Sequence, residues 1–283
     1  MYIANHNNRL VLLREGKALD VFLASEGRFG PDILGAYDNW DDFVAWEKKA
    51  DYSTAMEYAT EDLGAPIPFP RQILAVGLNY RDHAEEASLP IPENPVVFTK
   101  FASSLAGPDT TITVESDAID YEAEMVLVIA KRADRVAAAD AWKYVAGMSI
   151  GQDLTDRAVQ WRGPIPQFSV GKSLRGFGPF GPAVVSLDEI SEPENLAVRA
   201  VVTGPDIEGE FVVQDGNTKH LIFSVPELIE RVSADITLFP GDIIFTGTPA
   251  GVGMGRDPKL FMRPGHTLTT SLGDIAQIVT RFV

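Results

Sequence analysis

The chain contains no cysteine. That excludes a disulfide framework, a thiolate zinc site, an iron–sulfur cluster and a cysteine nucleophile, and it leaves the redox compartment open. Positive charge is scarce. Lys and Arg total 24 against 40 Asp and Glu, for a formal charge of -16. Phosphate backbones and anionic lipids attract basic faces, so neither nucleic acid nor a membrane surface is an expected partner. Long apolar runs are missing too. None reaches the ~18 residues that a membrane helix needs. The opening stretch from Met1 to Asn8 lacks a basic segment followed by an apolar one, so no secretion signal is recognisable and a cytoplasmic location is expected. There is no fixed-period repeat, no low-complexity tract and no Gly-x-Ser-x-Gly, which leaves a serine hydrolase without support.

What is present is an ordinary globular composition. The chain has 283 residues, 45% hydrophobic and 23% charged, enough to bury most of its apolar surface without covalent staples. Residues 1–70 read differently from the rest. Arg9 to Leu13 has strand character, Glu15-Gly16 a turn, and Ala18 to Ala24 can pair back. Asp38 to Ala59, with Trp40, Phe43, Val44 and Trp46 among acids, predicts an amphipathic helix. Pro66, Pro68 and Pro70 form a stiff link, because each fixes its own φ and restrains its predecessor. A domain boundary is expected there: a small N-terminal domain over 1–70 and a larger domain over 71–283. Beyond the link, short strands at Ile73–Val76, Val96–Thr99 and Met125–Ala130 alternate with helical stretches at Tyr80–Ala87, Asp134–Tyr144 and Ser224–Val232. Phe239-Pro240-Gly241-Asp242 and Arg263-Pro264-Gly265-His266 suit type II turns. Strands outnumber helices without a βαβ rhythm. The expected class is α+β, with a mixed, largely antiparallel core.

Four segments carry candidate chemistry. In Asp120-Tyr121-Glu122-Ala123-Glu124 two carboxylates are two residues apart, and so share a face if the segment is extended. They repel each other unless one takes a proton or a cation sits between them. A solvated strand end fits the same spacing. Met148-Ser149-Ile150-Gly151-Gln152-Asp153 is a second apolar stretch ending on an acid. Three acids at the ends of buried strands would make an all-oxygen site suited to Mg²⁺ or Mn²⁺. In Asn79 to Glu86, His83 and Glu86 are neighbours on one helical face. A carboxylate there fixes the imidazole tautomer, as a general base requires, although a surface polar pair reads the same way. Arg157 and Gln160 also fall at helical spacing, and Lys172 follows a glycine. These groups either balance charge or bind an anion. Finally, Asp242 to Gly255 runs from an apolar strand into a glycine-rich loop. It matches neither a P-loop nor a dinucleotide fingerprint.

In order, Gly77-Leu78-Asn79-Tyr80 with His83, Asp120-Tyr121-Glu122-Ala123-Glu124, Asp153 with Arg157 and Gln160, Gly171-Lys172-Ser173 and Gly247-Thr248-Pro249 resemble the fumarylacetoacetate hydrolase family over about residues 72–280. The resemblance implies a mixed β-sheet roll with few surrounding helices. It implies a divalent metal, Mg²⁺ with Mn²⁺ or Ca²⁺ as alternatives, held by Glu122, Glu124 and Asp153. It gives catalytic roles to His83, Glu86 and Lys172, and substrate contacts to Arg157, Gln160 and Thr248. It implies a homodimer acting on a small anionic keto acid. The expected reaction is hydrolysis of a C–C bond in a β-diketo acid such as an acylpyruvate or fumarylpyruvate. An enolate leaving group would be stabilised by the metal and Lys172, and the segment Leu89–Pro95 would close over the substrate. Alternatives on the same scaffold are oxaloacetate-type decarboxylation, isomerisation or hydration of a dienoic keto acid, and ureido-acid lyase chemistry. A metal-stabilised binding protein without turnover is the non-enzymatic alternative. Two positions depart from the family pattern: Gln152 stands where many members have Asn, and Arg175 where many have Asp.

Overall fold

The computed structural model describes residues 1–283. Its centre is one large sheet in which the strand Ala123–Ile129 lies between Val145–Gln152 and Ile243–Phe245, antiparallel to both. Both Ala123–Ile129 and Val145–Gln152 are buried along their whole length. Alternation sends their side chains to two different cores. Ala123, Met125, Leu127 and Ile129 join a cluster shared with Val198, Ala200, Leu268, Leu272 and Ile278 of a second, five-stranded sheet. Val126 and Val128 join a cluster on the opposite face. A strand covered on both faces reads as a continuous apolar run, and this one does until it reaches Glu124.

The opposite face is covered by the N-terminal segment. Phe29, Ile33, Tyr37 and Phe43 pack on Val126, Val128, Phe180 and Phe245. The expected boundary at residue 70 does not interrupt the sheet. Tyr2–His6 pairs with Gly178–Ser186, placing Tyr2 opposite Val185 and Ile3 opposite Val184. Arg9–Arg14 and Lys17–Asp20 continue the sheet outward. The proline-rich link therefore joins two parts of one sheet. Emptying this shared core by Phe245→Ala costs about 3–5 kcal/mol.

Two helical expectations are corrected. The helix foreseen over Asp38–Ala59 is confined to Trp40–Glu47, preceded by a separate helical turn at Leu34–Asp38. Beyond it Asp51 accepts hydrogen bonds from the Ser53 backbone and hydroxyl, a local alternative to helix. Asp134–Tyr144 is a 3₁₀ segment confined to Ala138–Tyr144. Before it, Ala133 exchanges backbone bonds with Leu238 and Arg135 sits at φ +53, which breaks the helical run. Of Ala18–Ala24 only Ala18–Asp20 pairs back, because Asp20 caps a helical turn at Val21–Ala24. Arg81–Glu86 is a helix, and Val225–Asp235 is a helix with a Ser224–Glu227 capping box. Gly241 and Gly265 adopt φ +81 and +92, the left-handed position that a type II turn gives to glycine. Most strand pairs are antiparallel, and three are parallel. No helix is long and apolar enough to cross a membrane.

Candidate active site

The start of the central strand, the end of its neighbour and the glycine-rich loop after Phe245 meet at one edge of the large sheet. Ligand atoms of Glu122, Glu124 and Asp153 lie within 4.8 Å of one another, and all three residues are buried. Backbone pairing sets this arrangement. Ala123 is opposite Gln152 in the register, and the Asp153 N–H donates to the Glu122 carbonyl at 2.9 Å. Gln152 accepts from the Glu122 N–H at 2.8 Å and donates to Thr270 Oγ1 at 2.9 Å. Its extra methylene relative to Asn spans from the metal loop to the second sheet. Gln214, which sequence reasoning missed, does the same one residue on. It accepts from the Ala123 N–H and donates to Thr248 Oγ1.

Cations bridge the acids. Lys172 Nζ lies 2.6 Å from Glu122 Oε2, 2.7 Å from Asp153 Oδ2 and 2.9 Å from Thr155 Oγ1. Arg157 reaches Glu122 Oε1 at 2.7 Å, Asp120 Oδ2 at 2.8 Å and Gln160 Oε1 at 3.0 Å. A third cation was not foreseen. Lys100 Nζ is fully buried, 2.6 Å from Asp153 Oδ1 and 3.1 Å from the Phe177 carbonyl, and also donates to the Lys172 carbonyl. Its only sequence signal is a lone lysine between Thr99 and Phe101 at the end of an apolar strand.

The charges do not balance. Asp120, Glu122 and Asp153 each have a cation partner, whereas Glu124 has only the Gly247 N–H, at 2.8 Å. Burial, and then the nearby Asp153 and Glu122 charges, push the Glu124 carboxyl well above its usual value. Burial would raise Glu122 as well, but the Lys172 ammonium and Arg157 guanidinium outweigh it and hold that carboxyl down to about 2. Burial lowers Lys172, yet Asp153 and Glu122 outweigh it and hold the ammonium above its usual range. The set therefore lacks one positive charge, and the ligand atoms that converge in it are carboxylate oxygens. Hard divalent cations take such ligands, so Glu122, Glu124 and Asp153 fit one.

On another wall of the same cavity, His83 Nδ1 is 3.0 Å from Glu86 Oε2. Glu86 Oε1 accepts from the Gly251 N–H at 2.9 Å. With Nδ1–H donated to Glu86, Nε2 is the basic nitrogen. The glycine-rich loop thus serves the site's own acids. Its N–H groups go to Glu124 from Gly247, to Glu86 from Gly251, and to Asp120 from Gly253 and Met254. Gly247 and Gly251 sit at φ +99 and +108, and a Cβ on Gly251 would lie 2.1 Å from the Val213 carbonyl oxygen. No other residue type fits there.

The cavity encloses about 660 Å³. His83, Glu86, Glu122, Glu124, Asp153, Arg157, Gln160, Lys172 and Thr248 all reach its surface, so the expected site residues converge on one space. Thr248 is the least available of them, because its hydroxyl donates to the Ala123 carbonyl at 2.9 Å and accepts from Gln214. Arg175 is exposed and lies outside the lining.

With this geometry in place, the comparisons are specific. A family model described as fumarylacetoacetate (FAA) hydrolase C-terminal matches residues 72–283. The chain belongs to that family. An oxaloacetate tautomerase, mitochondrial, from Rattus norvegicus is 39% identical over 221 residues, covering 77% of this chain and 68% of the relative. A crystal structure from Mycobacterium smegmatis is 44% identical with a TM-score of 0.94, covering 100% of this chain and 99% of that one. A fumarylacetoacetate hydrolase from Exiguobacterium antarcticum is 30% identical with a TM-score of 0.83, covering 99% and 98%. These fix an enzyme family and an α+β fold. They leave open the reaction class, which differs among the relatives.

Proposed function

We propose that the chain is a divalent-metal-dependent enzyme that hydrolyses a C–C bond in a 1,3-dioxo acid of the acylpyruvate type. The observation that carries this is a single cavity with a carboxylate cluster short of one positive charge and, facing it, a histidine whose tautomer is fixed by Glu86. Glu122, Glu124 and Asp153 would hold the ion, Mg²⁺ or alternatively Mn²⁺ or Ca²⁺. Bound there, it would supply Lewis-acid polarisation of substrate oxygens.

The protein's residues account for the rest. Gln160, oriented by Arg157 through Oε1, keeps its NH₂ as a donor for the substrate's acid end. His83 Nε2 takes a proton from water, and the oxygen adds to the distal carbonyl. The bond between that carbonyl and the methylene breaks, and its electron pair passes to the methylene carbon. The imidazolium returns the proton to that carbon. The products are a carboxylic acid and pyruvate. Glu86 steadies the imidazolium, and such base catalysis contributes ~10²–10⁴-fold. Lys172, held at Glu122 and Asp153, keeps positive potential where the electron pair accumulates. A homodimer and a cytoplasmic location belong to the same reading.

A second reading has its own support. The relatives 36–39% identical to this chain are mostly oxaloacetate tautomerases, and keto–enol exchange needs only the proton relay of His83 without water. The cavity volume of about 660 Å³ exceeds what a four-carbon acid fills, which supports a substrate longer than oxaloacetate. Proton NMR of the Mg²⁺-loaded protein with acetylpyruvate decides. The proposal expects acetate and pyruvate in equal amounts. Unchanged acetylpyruvate together with accelerated loss of the oxaloacetate enol transfers the assignment to the tautomerase.

A further inference from the structure

Three positively ionisable side chains reach the cavity surface: His83, Arg157 and Lys172. Each is already committed. Arg157 spans Asp120, Glu122 and Gln160, Lys172 spans Glu122, Asp153 and Thr155, and His83 faces Glu86. All three lie at the acidic head of the site. The remaining wall is apolar, formed by Leu78, Leu89, Val96, Phe98, Trp161 and Phe168.

Leu89, Val96 and Trp161 are about half exposed, at 53%, 49% and 52%, and they line one cavity together, the clustered apolar surface that marks a ligand groove. Leu78 adds a second signal. It holds φ +57 between Gly77 and the fully buried Asn79, a conformation that a leucine adopts only under constraint. Asn79 supplies that constraint, through bonds to the Phe223 and Thr246 carbonyls and from the Phe223 N–H.

We infer that the far end of this cavity seats an uncharged, apolar tail, so that the substrates are 2-oxo acids with a hydrocarbon or aryl acyl group and not dicarboxylates. The inference rests on the 2-oxo-acid reading above and narrows it. A terminal carboxylate would lie along the apolar wall with no free cation to receive it, and covering that wall would cost it part of its hydration. Such exclusion gives specificity by rejection as much as by attraction. It sets this chain apart from the relatives named for oxaloacetate, which carries two carboxylates.

The test uses two unreactive ligands with the same head and chain length, 2-oxohexanoate and 2-oxohexanedioate. Each is titrated calorimetrically into the Mg²⁺-loaded full-length protein. The inference expects 2-oxohexanoate to bind at least about tenfold tighter. Equal or tighter binding of the diacid overturns it while leaving the 2-oxo-acid reading intact. Binding of neither overturns that reading, and the inference with it. V96R adds a guanidinium to the apolar wall from a half-exposed edge strand, and the ratio should fall or invert. An unchanged ratio in a folded V96R protein overturns the placement of the tail on that wall.

Discussion

Two histidine–carboxylate pairs of similar geometry sit in very different surroundings. His83 Nδ1 is 3.0 Å from Glu86, and His266 Nε2 is 2.7 Å from Asp206. His83 borders a cavity and faces a carboxylate cluster. His266 is buried in a turn of the smaller sheet, with Nδ1 accepting from the Arg263 N–H at 3.3 Å and its ring against Gly204. Both ring nitrogens of His266 are occupied, whereas Nε2 of His83 is left for chemistry. Pairing with an acid fixes a tautomer in both places, and it makes a base only where the second nitrogen meets a space large enough for substrate.

The largest effect should come from exchanging the fates of the two pairs. His83→Ala is expected to lower kcat by about 10²–10⁴-fold with the melting temperature unchanged. His266→Ala is expected to keep kcat per folded molecule and to lose about 1–3 kcal/mol of stability, because it empties the site of a buried ring and removes its bonds to Asp206 and the Arg263 N–H. Parallel kinetics and urea unfolding on both variants check this. Full activity in His83→Ala would remove His83 as the base.

The cavity side of the comparison sharpens with pH. Glu124 is raised by burial and by the neighbouring Asp153 and Glu122 charges, so it keeps its proton to higher pH than an ordinary carboxyl. A divalent ion must displace that proton. Metal affinity should therefore fall as pH drops through the raised value, approaching about tenfold per unit below it. Mg²⁺ or Mn²⁺ titrations in two buffers of different ionisation enthalpy read the proton release, and an affinity flat with pH would contradict it.

The smallest effect concerns the structural pair. A hydrogen bond from His266 holds Asp206 below the usual carboxylate range. A depressed carboxyl contributes stability above its ordinary range and loses it as pH falls through the folded value. Asp206→Asn should flatten that acid limb of the stability curve slightly, and a limb unchanged in Asp206→Asn would make the contact neutral.

Much of the site was legible because its residues stand where elements end. Glu122, Glu124 and Asp153 interrupt apolar strands, and His83 and Glu86 share one helical turn. The strand at Ile73–Val76 and the type II turns followed from apolar runs and Pro-Gly spacing. What escaped depends on distance in the chain. Lys100 reaches Asp153 across 53 residues, and Gln214 reaches Ala123 across 91. No local pattern announces such partners, because long-range register supplies them. The pairing of the N-terminal segment with the large sheet escaped for the same reason. Pairing of Tyr2 and Ile3 with Val185 and Val184 cannot be read from either strand alone, and the prolines at 66, 68 and 70 looked like a boundary.

Crystals soaked in Mn²⁺ and measured at the manganese absorption edge test the central claim most directly. A single anomalous peak bounded by carboxylate oxygens of Glu122, Glu124 and Asp153, in the cavity that His83 also lines, is the predicted result. A saturated soak with no peak there, or with manganese bound only at surface acids, would contradict it.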